Sequence, residues 1–340
     1  MNINDFDFSL PKNNIAQTPN KSRSDSKLLV INRATNELKN DKFNNIDAYI
    51  TKNDLLIIND TKVMPARIFG FRENTGGKVE ILVERIINNE SFICQIKSTR
   101  KLKKNDIIIV GGENVNLVVE TNNQILCEIK ILDYSVEDLL LNYGSIPLPP
   151  YILRDPDDSD EEYYQTIFAE KYGSVAAPTA ALHFDKNVLD KLIDKKIPIC
   201  KITLHIGMGT FSPIKTHDIT QHKMHSELYL IPKDTVEQIK QCRLRKGKVI
   251  AVGTTVARAL ESFYNSEKNS EQFYDTNIFI KPGYDFKVVD HLITNFHLPR
   301  SSLLVMISAF YNTKKILEAY NFAINNNYKF FSYGDSTLIL

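Results

Sequence analysis

The segment HLITNFHLPR, residues 291–300, brings together side chains that bind anions and transfer protons. If HLITNFHL is a β-strand that ends at Pro299, Asn295 and His297 share one face, because side chains alternate along a strand. Arg300 follows directly, and its guanidinium can donate two parallel hydrogen bonds to a carboxylate or phosphate. A lone histidine is more often structural, but this combination favours an anion site at the strand end.

A second polar group lies in ITLHIGMGTF, residues 202–211. In a strand here, Thr203 and His205 share one face, and the apolar residues beside them share the other. Gly207 and Gly209 follow, and glycines without a Cβ let the backbone approach a ligand closely. A half-exposed strand with an ordinary turn would explain the same residues. The glycine pair beside a histidine nevertheless favours a site.

In the segment GSVAAPTAALHF, small residues surround Thr179, and His183 stands just before a predicted helix. Such a row of Ala, Ser and Gly either packs closely against another element or forms the floor of a pocket. Composition alone favours neither interpretation.

The segment KVIAVGTTVARALESFYN predicts a strand, a short GTT turn and a helix. Thr254 and Thr255 then fall at the helix N-terminus, where free N–H groups and the helix dipole attract anions. The segment lacks GxGxxG, so it is not a dinucleotide-binding motif. Helix capping alone would account for both threonines.

Composition excludes several classes of protein. The 340 residues contain 42 Lys+Arg and 41 Asp+Glu, so a polyanionic partner must bind a local basic patch. The four cysteines are widely spaced without a CxxC pair, which argues against a common zinc site and a disulfide framework. The N-terminus lacks the layout of a signal peptide, and the apolar run SSLLVMISAFY is too short to span a membrane. We expect a cytoplasmic protein without a membrane segment.

The elements that must position these residues fall into two kinds. Residues 67–132 contain short alternating segments separated by Gly, Asn and Lys turns, which predicts a small β-barrel or sandwich. Strand-length apolar runs precede it at Lys27–Asn32 and Asp54–Asn59, and the proline-rich SIPLPPYIL follows it as a stiff connector.

After the connector, predicted strands alternate with predicted helices, which is typical of an α/β layer structure. The sequence predicts Asp185 as the N-cap of the first of these helices. The strands are KITLHIG, KVIAVG and HLITNFHL, and the helices are KNVLDKLIDKK, TVEQIKQCRLRK, VARALESFYN and SSLLVMISAFY. We therefore expect an α/β domain made from both ends of the chain, with a β-domain inserted near residues 67–146.

Taken together, nine runs closely resemble the S-adenosylmethionine:tRNA ribosyltransferase-isomerases of queuosine biosynthesis. They occur in the order of that family and cover nearly the whole chain. The runs are DFDFSLP (5–11), INDTKVMPAR (58–67), TGGKVEIL (75–82), PLPPYI (147–152), YQTIFAEKYGSVAAPTAALHF (164–184), ITLHIGMGTFSPI (202–214), VIAVGTTVARALES (249–262), TNIFIKPGYDFKVVDHLITNFHLPRSSLL (276–304) and FFSYGDSTLI (330–339).

The chain departs from the family pattern at a few positions. The family usually has TAGLHF where this chain has Ala181, and GTTSVRTLES where it has GTTVARALES, which keeps Arg258 and Glu261. The usual RDxSRLL is RSDSKLL here, with Ser24 and Lys27 in the positions of Asp and Arg. None of these changes removes a histidine, Asn295 or Arg300, so they concern fine contacts with the substrate and not the reaction.

The resemblance implies a three-layer α/β domain, residues 1–66 and 147–340, that carries an inserted small β-barrel, residues 67–146. It implies transfer and isomerisation of the ribosyl part of S-adenosylmethionine onto 7-aminomethyl-7-deazaguanine at the wobble position of tRNA. Epoxyqueuosine is the product, and adenine and methionine are released. S-adenosylmethionine is consumed as a substrate, so the resemblance implies no cofactor and no metal. The family also suggests a monomer.

The implied chemistry requires proton transfer. The sulfonium acidifies the adjacent ribose C5′ protons, so a positioned base removes one. The ring then opens, adenine leaves, the aminomethyl nitrogen attacks, and epoxide closure expels methionine. This route needs a general base, a general acid for adenine and donors for a developing oxyanion.

The resemblance and the residue types together give a set of candidate site residues. Histidine serves as acid or base near neutral pH, and the sequence leaves open which histidine does which. The acid–base candidates are His183, His205 and His297, with Asp290 as an orienting carboxylate. The substrate-binding candidates are Thr179, Gly207, Gly209, Thr210, Thr254, Thr255, Arg258, Asn295 and Arg300.

Two other functions are weighed against this one. An S-adenosylmethionine-dependent methyltransferase would release S-adenosylhomocysteine, and the missing glycine-rich loop after an early strand argues against it. A non-catalytic RNA-binding protein with the same fold would have no need for the histidines, Arg300 and the two glycine-containing loops. An assay for epoxyqueuosine in precursor tRNA distinguishes the two, because only the enzyme forms this product and an RNA-binding protein does not.

Overall fold

The computed structural model describes residues 1–112, 115–122, 126–211, 213–266 and 268–340. In chain order the strands are β1 (Lys27–Asn32), β2 (Glu37–Lys42), β3 (Leu55–Asn59), β4 (Thr61–Val63), β5 (Arg67–Arg72), β6 (Lys78–Asn88), β7 (Ser91–Ser98), β8 (Ile107–Val110), β9 (Val115–Asn122), β10 (Cys127–Leu132), β11 (Gly144–Ser145), β12 (Lys171–Ser174), β13 (Ile199–His205), β14 (Glu227–Leu230), β15 (Val249–Val252), β16 (Phe273–Thr276), β17 (His291–Asn295) and β18 (Ser336–Ile339).

The α-helices are α1 (Val136–Tyr143), α2 (Asp158–Tyr163), α3 (Lys186–Asp194), α4 (Lys233–Leu244), α5 (Thr254–Tyr264), α6 (Ser302–Phe310) and α7 (Thr313–Asn325). Short 3-10 helices include Phe43–Ala48, Thr179–His183 and Met208–Phe211. Within the described ranges, no helix combines the length and the apolar character that a membrane span requires.

A large sheet organises the molecule, with strands in the order β16-β14-β13-β3-β15-β17-β18-β1-β2. Its four central strands β13, β3, β15 and β17 are parallel to one another. Both faces of the central strands are buried, because Leu55 and Ile57 of β3 join one apolar core and Leu56 and Ile58 join another. Helices α4–α7 cover the first face, and α3 with the 3-10 helix Phe43–Ala48 covers the second. These three layers confirm the α/β class expected from the sequence.

The barrel consists of strands β5, β6, β7, β10, β9 and β8, which pair antiparallel in that order. Pairing of β5 with β8 closes it. Gly70 permits this closure, because a Cβ there would lie 2.7 Å from the backbone oxygen of Ile109. The six strands are contiguous in sequence between β3 and β13 of the large sheet, so the expected inserted barrel is confirmed. The domain boundaries at 66/67 and 146/147 stay a prediction.

One element near the expected site differs from the sequence prediction. Strand β17 ends at Asn295, whereas the pattern HLITNFHL predicted a strand as far as Leu298. Its neighbour β18 pairs with it only as far as Asn295, and beyond that point the His297 N–H donates to the hydroxyl of Tyr320. The prediction that strand alternation relates Asn295 to His297 is therefore wrong.

Candidate active site

A cavity of about 300 Å³ opens at the carboxyl ends of the parallel strands β13, β15 and β17, and we call it the strand-end cavity. Ligands of open α/β sheets bind at this edge. Among the described residues, its wall contains no Asp, Glu, Lys or Arg. Its polar and aromatic side chains belong to Tyr151, Thr179, Thr210, Thr254, Thr255, Asn295, His297, Ser301 and Phe331, among others.

Helix α5 directs its N-terminus at this cavity, because Gly253, Thr254 and Thr255 all line it. Gly253 precedes the helix with φ of 96°, a conformation that residues with a Cβ rarely adopt. No side chain caps the first turn, and the buried Thr255 Oγ1 has no hydrogen-bond partner in the part of the chain that the structure describes. The free N–H groups of a first turn carry partial positive charge. This end of α5 therefore suits a ligand carboxylate.

His183 links the second face of the sheet to Asn295. Its Nδ1 lies 2.8 Å from Ser26 Oγ, and its Nε2 lies 3.0 Å from Asn295 Nδ2. Ser26 donates to the backbone oxygen of Arg23, so Ser26 accepts from Nδ1 of the histidine. Nε2 then carries the lone pair that accepts the Asn295 amide. Both ring nitrogens of His183 are therefore hydrogen-bonded within the protein, and the ring positions the side chain of Asn295.

Asn295 is held by two bonds from its amide nitrogen, to His183 and to the backbone oxygen of Phe331. Its Oδ1 is buried and has no partner among the described residues. Because both amide hydrogens are used, the orientation of the side chain is fixed, and Oδ1 is the atom left to accept a hydrogen bond. Asn295 also lines the strand-end cavity, and Oδ1 is its one hydrogen-bonding atom without a partner among the described residues.

His297 lines the cavity directly and is 8% exposed. Its Nε2 lies 2.9 Å from Thr294 Oγ1, and its Nδ1 has no hydrogen-bond partner in the described ranges. This leaves one ring nitrogen for a ligand. Of the three candidate histidines, His297 is the one in the wall of the strand-end cavity.

Burial sets the charge of all three histidines. It lowers the pKa of His183 and His297 to about 3 and that of His205 to about 4, because a cationic imidazole is poorly solvated there. The three rings are therefore neutral near pH 7. A neutral imidazole can accept a proton, or donate a hydrogen bond from its single N–H.

A second space of about 450 Å³, the barrel cleft, separates the barrel from the large sheet. Glu84, Arg85 and Gln95 of the barrel line one wall, and His205 lines the other. The His205 ring stacks on Phe273, with ring centroids 5.7 Å apart.

His205 is fixed by its surroundings in the cleft. Its Nδ1 lies 2.8 Å from Thr61 Oγ1, and that hydroxyl donates to the backbone oxygen of Lys171 at 3.5 Å. Nδ1 is therefore the donor, and Nε2 keeps its lone pair. Gly173 makes room for the ring, since a Cβ on this glycine would lie 2.8 Å from it.

The loop after β13 lies between the two spaces. Gly207 and Gly209 line the barrel cleft, whereas Ile206 and Thr210 line the strand-end cavity. Gly209 is required here, because a Cβ would lie 2.3 Å from the ring of His225. The loop thus brings two possible ligand sites next to each other.

Arg258 lies behind this loop in a buried ion pair with Glu227. The Thr210 hydroxyl also donates to Glu227, at 2.7 Å. Nε and Nη2 of Arg258 have no partners among the described residues, and the side chain is absent from the walls of both spaces. In this arrangement Arg258 supports the Thr210 loop and does not meet a ligand directly.

The chain is similar over nearly its whole length to proteins of one known family. Residues 3–339 match the model of a family described as queuosine biosynthesis protein. The chain belongs to this family. The S-adenosylmethionine:tRNA ribosyltransferase-isomerase of Sulfurihydrogenibium sp. is 46% identical over 341 residues, with 100% of each chain covered. That of Coxiella burnetii is 45% identical over 336 residues, covering 98% of this chain and 97% of the relative. The crystal structure of the S-adenosylmethionine tRNA ribosyltransferase from Thermotoga maritima is similar, with 29% identity, a TM-score of 0.57, and 99% and 100% of the two chains covered.

Two residues singled out by the resemblance to this family lie apart from both spaces. Asp290 precedes β17, at the opposite end of that strand from Asn295, and accepts hydrogen bonds from Arg243 and the Val249 N–H. The half-exposed Arg300 pairs with Asp7. Asp290 therefore does not lie beside His183 or His297. The guanidinium of Arg300 is already paired with a carboxylate of the same chain.

Two aromatic residues of the cavity were not identified as site residues from the sequence. Tyr151 and Phe331 pack with ring centroids 4.5 Å apart, and both line the strand-end cavity. Phe331 has φ of 74°, which costs a residue with a side chain about 1–3 kcal/mol and is common at functional sites. Both lie in runs that resemble the family, PLPPYI and FFSYGDSTLI. Their position in these runs is the feature of the sequence that could have identified them as site residues.

Proposed function

We propose that this chain is an S-adenosylmethionine:tRNA ribosyltransferase-isomerase. The enzyme transfers and isomerises the ribosyl part of S-adenosylmethionine onto 7-aminomethyl-7-deazaguanine at the wobble position of tRNA. The products are epoxyqueuosine in the tRNA, adenine and methionine. The observation that carries the proposal is the end-to-end match, at 45–46% identity, to relatives with this name.

S-adenosylmethionine binds in the strand-end cavity. The volume of about 300 Å³ is within the range of small-molecule sites. The N-terminus of α5 receives the methionyl carboxylate, because its free N–H groups attract an anion. Tyr151 and Phe331 offer aromatic faces, which stack on adenine and attract the sulfonium cation. Asn295 Oδ1 accepts a hydrogen bond from a hydroxyl or amino group of the substrate.

His297 is the general base that removes the ribose C5′ proton. Its ring is neutral before the reaction, since burial lowers its pKa to about 3. The proton goes to Nδ1, the ring nitrogen that is not hydrogen-bonded to Thr294. His183 holds Asn295 in position, so its contribution passes through that side chain. His205 faces the barrel cleft and serves the tRNA side of the reaction.

The tRNA approaches through the barrel cleft, so that the target base meets the ribosyl group beside the Thr210 loop. The enzyme acts as a monomer in the cytoplasm and needs neither a metal nor a further cofactor. Residues 1–66 and 147–340 form the catalytic domain, and residues 67–146 form the barrel domain.

Product analysis tests this function. The full chain is incubated with S-adenosylmethionine and with tRNA that carries 7-aminomethyl-7-deazaguanine, and the small molecules are separated by chromatography. We expect adenine and methionine in equal amounts, and no release from tRNA that carries guanine at the wobble position. Formation of S-adenosylhomocysteine would instead identify a methyltransferase, and unchanged S-adenosylmethionine would indicate a binding protein.

A further inference from the structure

The barrel carries a concentration of positive charge, which we call the basic loop, residues 97–104, with the sequence KSTRKLKK. Five of these eight residues are Lys or Arg, and none is Asp or Glu. The whole chain is nearly neutral, with 42 Lys+Arg against 41 Asp+Glu, so a polyanionic partner needs a local basic surface. The basic loop begins in the last residues of β7 and leads toward β8.

Contacts with the barrel fix the backbone of the basic loop. Leu102 is buried, and its carbonyl oxygen accepts from the Asn122 amide at 3.0 Å. The Arg100 carbonyl oxygen accepts from Ser98 Oγ at 2.8 Å and from the guanidinium of Arg72. A backbone held in this way needs little further ordering when a partner binds, so the positions of the charges are pre-organised.

Most cations of the basic loop have no carboxylate partner. The carboxylates beside it are already paired, Glu80 with Lys97 at 3.9 Å and Asp106 with Arg72 at 3.7 Å. The exposed cations of the loop without an ion pair in the part of the chain that the structure describes are Arg100, Lys101, Lys103 and Lys104. Such cations can neutralise the phosphates of a nucleic acid, and the release of its counterions favours binding.

The basic loop continues the wall of the barrel cleft. Gln95 lines the cleft, and Lys97 lies two residues, about 7 Å, further along the same outward face of β7. Burial raises the pKa of the Cys127 thiol, and the charge of Lys101 opposes this effect, so Lys101 lies near the start of β10. Leu126, which directly precedes Cys127, also lines the cleft. An RNA strand that leaves the cleft along this wall therefore passes the basic loop.

We infer that the basic loop binds the phosphate backbone of the anticodon stem while the target base lies in the barrel cleft; this inference rests on the proposed function. The stem is a double-stranded RNA helix, which proteins recognise mostly through its shape, its phosphates and its 2′-hydroxyls. Lysine ammonium groups on flexible stems bind phosphates as point charges. Phosphate contacts carry no sequence information, so the loop strengthens binding of every tRNA alike and leaves selection of the base to the cleft.

The salt dependence of tRNA binding tests this role. Fluorescence anisotropy measures the Kd of the full chain for tRNA carrying 7-aminomethyl-7-deazaguanine and for the same tRNA carrying guanine, at KCl concentrations from about 0.05 to 0.2 M. Each lost phosphate contact lowers the slope of log Kd against log salt concentration by about 0.7–0.9. The triple variant Lys101→Gln, Lys103→Gln, Lys104→Gln should lower the slope by about 2–3 and weaken binding of both tRNAs at least about tenfold at about 0.1 M salt.

A second triple variant is the matched control. Lys52, Lys246 and Lys248 are exposed and precede β3 and β15, at the edge of the sheet opposite the strand-end cavity. Their replacement by Gln removes the same number of charges and should leave the slope unchanged. Arginine in place of the three loop lysines keeps the charges and should also leave it unchanged. Equal midpoints of thermal unfolding show that all these variants are folded.

Three results would each overturn the inference: an unchanged slope in the loop variant, an equal loss in the control variant, and a loss that arginine does not restore. The isolated anticodon stem-loop should show the same difference between the loop variant and the unaltered chain. A difference found only with the whole tRNA would place the contact on another arm and would also overturn the inference. The proposed function fails separately, if the unaltered chain binds tRNA but releases no adenine and methionine from S-adenosylmethionine.

Discussion

Replacing His183 by Ala tests whether this histidine transfers protons or only positions Asn295. In the structure the ring joins Ser26 to Asn295 through hydrogen bonds of 2.8 and 3.0 Å. Its removal frees the Asn295 amide, which keeps a single bond to the backbone oxygen of Phe331. The Asn295 side chain should then lose its fixed orientation toward the substrate.

The magnitude follows from the groups that lose partners. Each hydrogen bond contributes about 0.5–1.5 kcal/mol net, and a buried N–H left without an acceptor costs about 1–3 kcal/mol. With two such bonds lost and one N–H left without an acceptor, we expect the free energy of unfolding to fall by about 2–6 kcal/mol. A substrate hydrogen bond of about 1 kcal/mol corresponds to roughly a fivefold weaker Kd for S-adenosylmethionine. The single-turnover rate at saturating substrate should fall by less than about tenfold, whereas loss of a general base costs about a hundred- to ten-thousandfold.

Rapid-quench single-turnover kinetics, together with calorimetric titration of S-adenosylmethionine, separate the two roles. His183→Gln should recover most of the affinity, because the amide oxygen of glutamine can accept from Asn295 but cannot relay a proton. His297→Gln serves as the comparison and should stay slow. A rate loss above a hundredfold in both His183→Ala and His183→Gln, with unchanged affinity for S-adenosylmethionine, would refute the positioning role.

Three further predictions concern charged and titrating groups. Asp290→Asn should change the single-turnover rate less than about threefold, because this carboxylate lies at the end of β17 away from Asn295. A loss of about a hundredfold or more, as expected for a general base, would show that Asp290 takes part in the reaction. Arg258→Met leaves Glu227 buried without its cation and should destabilise the fold by about 3–5 kcal/mol in thermal unfolding; a loss below about 1 kcal/mol would contradict the buried ion pair. Since burial lowers the pKa of His183 and His297 from 6.5 to about 3, their contribution to stability is complete above pH 6.5 and is lost as the pH falls toward 3. Unfolding at pH 5 should therefore need less denaturant than at pH 7, and equal midpoints would count against neutral buried rings.

Local patterns predicted the elements that are apolar on both faces. The run Lys27–Asn32 is β1, and Asp54–Asn59 differs from β3 by one residue. Asp185 caps α3 as expected, accepting from the Val188 N–H. These features depend on a few neighbouring residues, so periodicity and capping rules suffice to find them.

Contacts between distant segments account for the differences. The end of β17 is set by its pairing with β18, and Arg300 is occupied by Asp7, 293 positions away. The partner of His183, Ser26, is 157 positions away, so no local pattern indicates that both ring nitrogens are used. The position of Asp290, in contrast, could have been predicted from the sequence. It directly precedes the predicted strand that contains Asn295, so the two residues lie at opposite ends of that strand.

Ribosyl transfer by this protein is tested most directly by nucleoside mass spectrometry of precursor tRNA after reaction with S-adenosylmethionine labelled with ¹³C in every ribose carbon. Ribosyl transfer requires that all the labelled carbons appear in epoxyqueuosine and that adenine and methionine are released without label. His297→Ala should form this product about a hundred- to ten-thousandfold more slowly. Label that stays in S-adenosylhomocysteine, or tRNA that gains only a methyl group, would contradict ribosyl transfer by this protein.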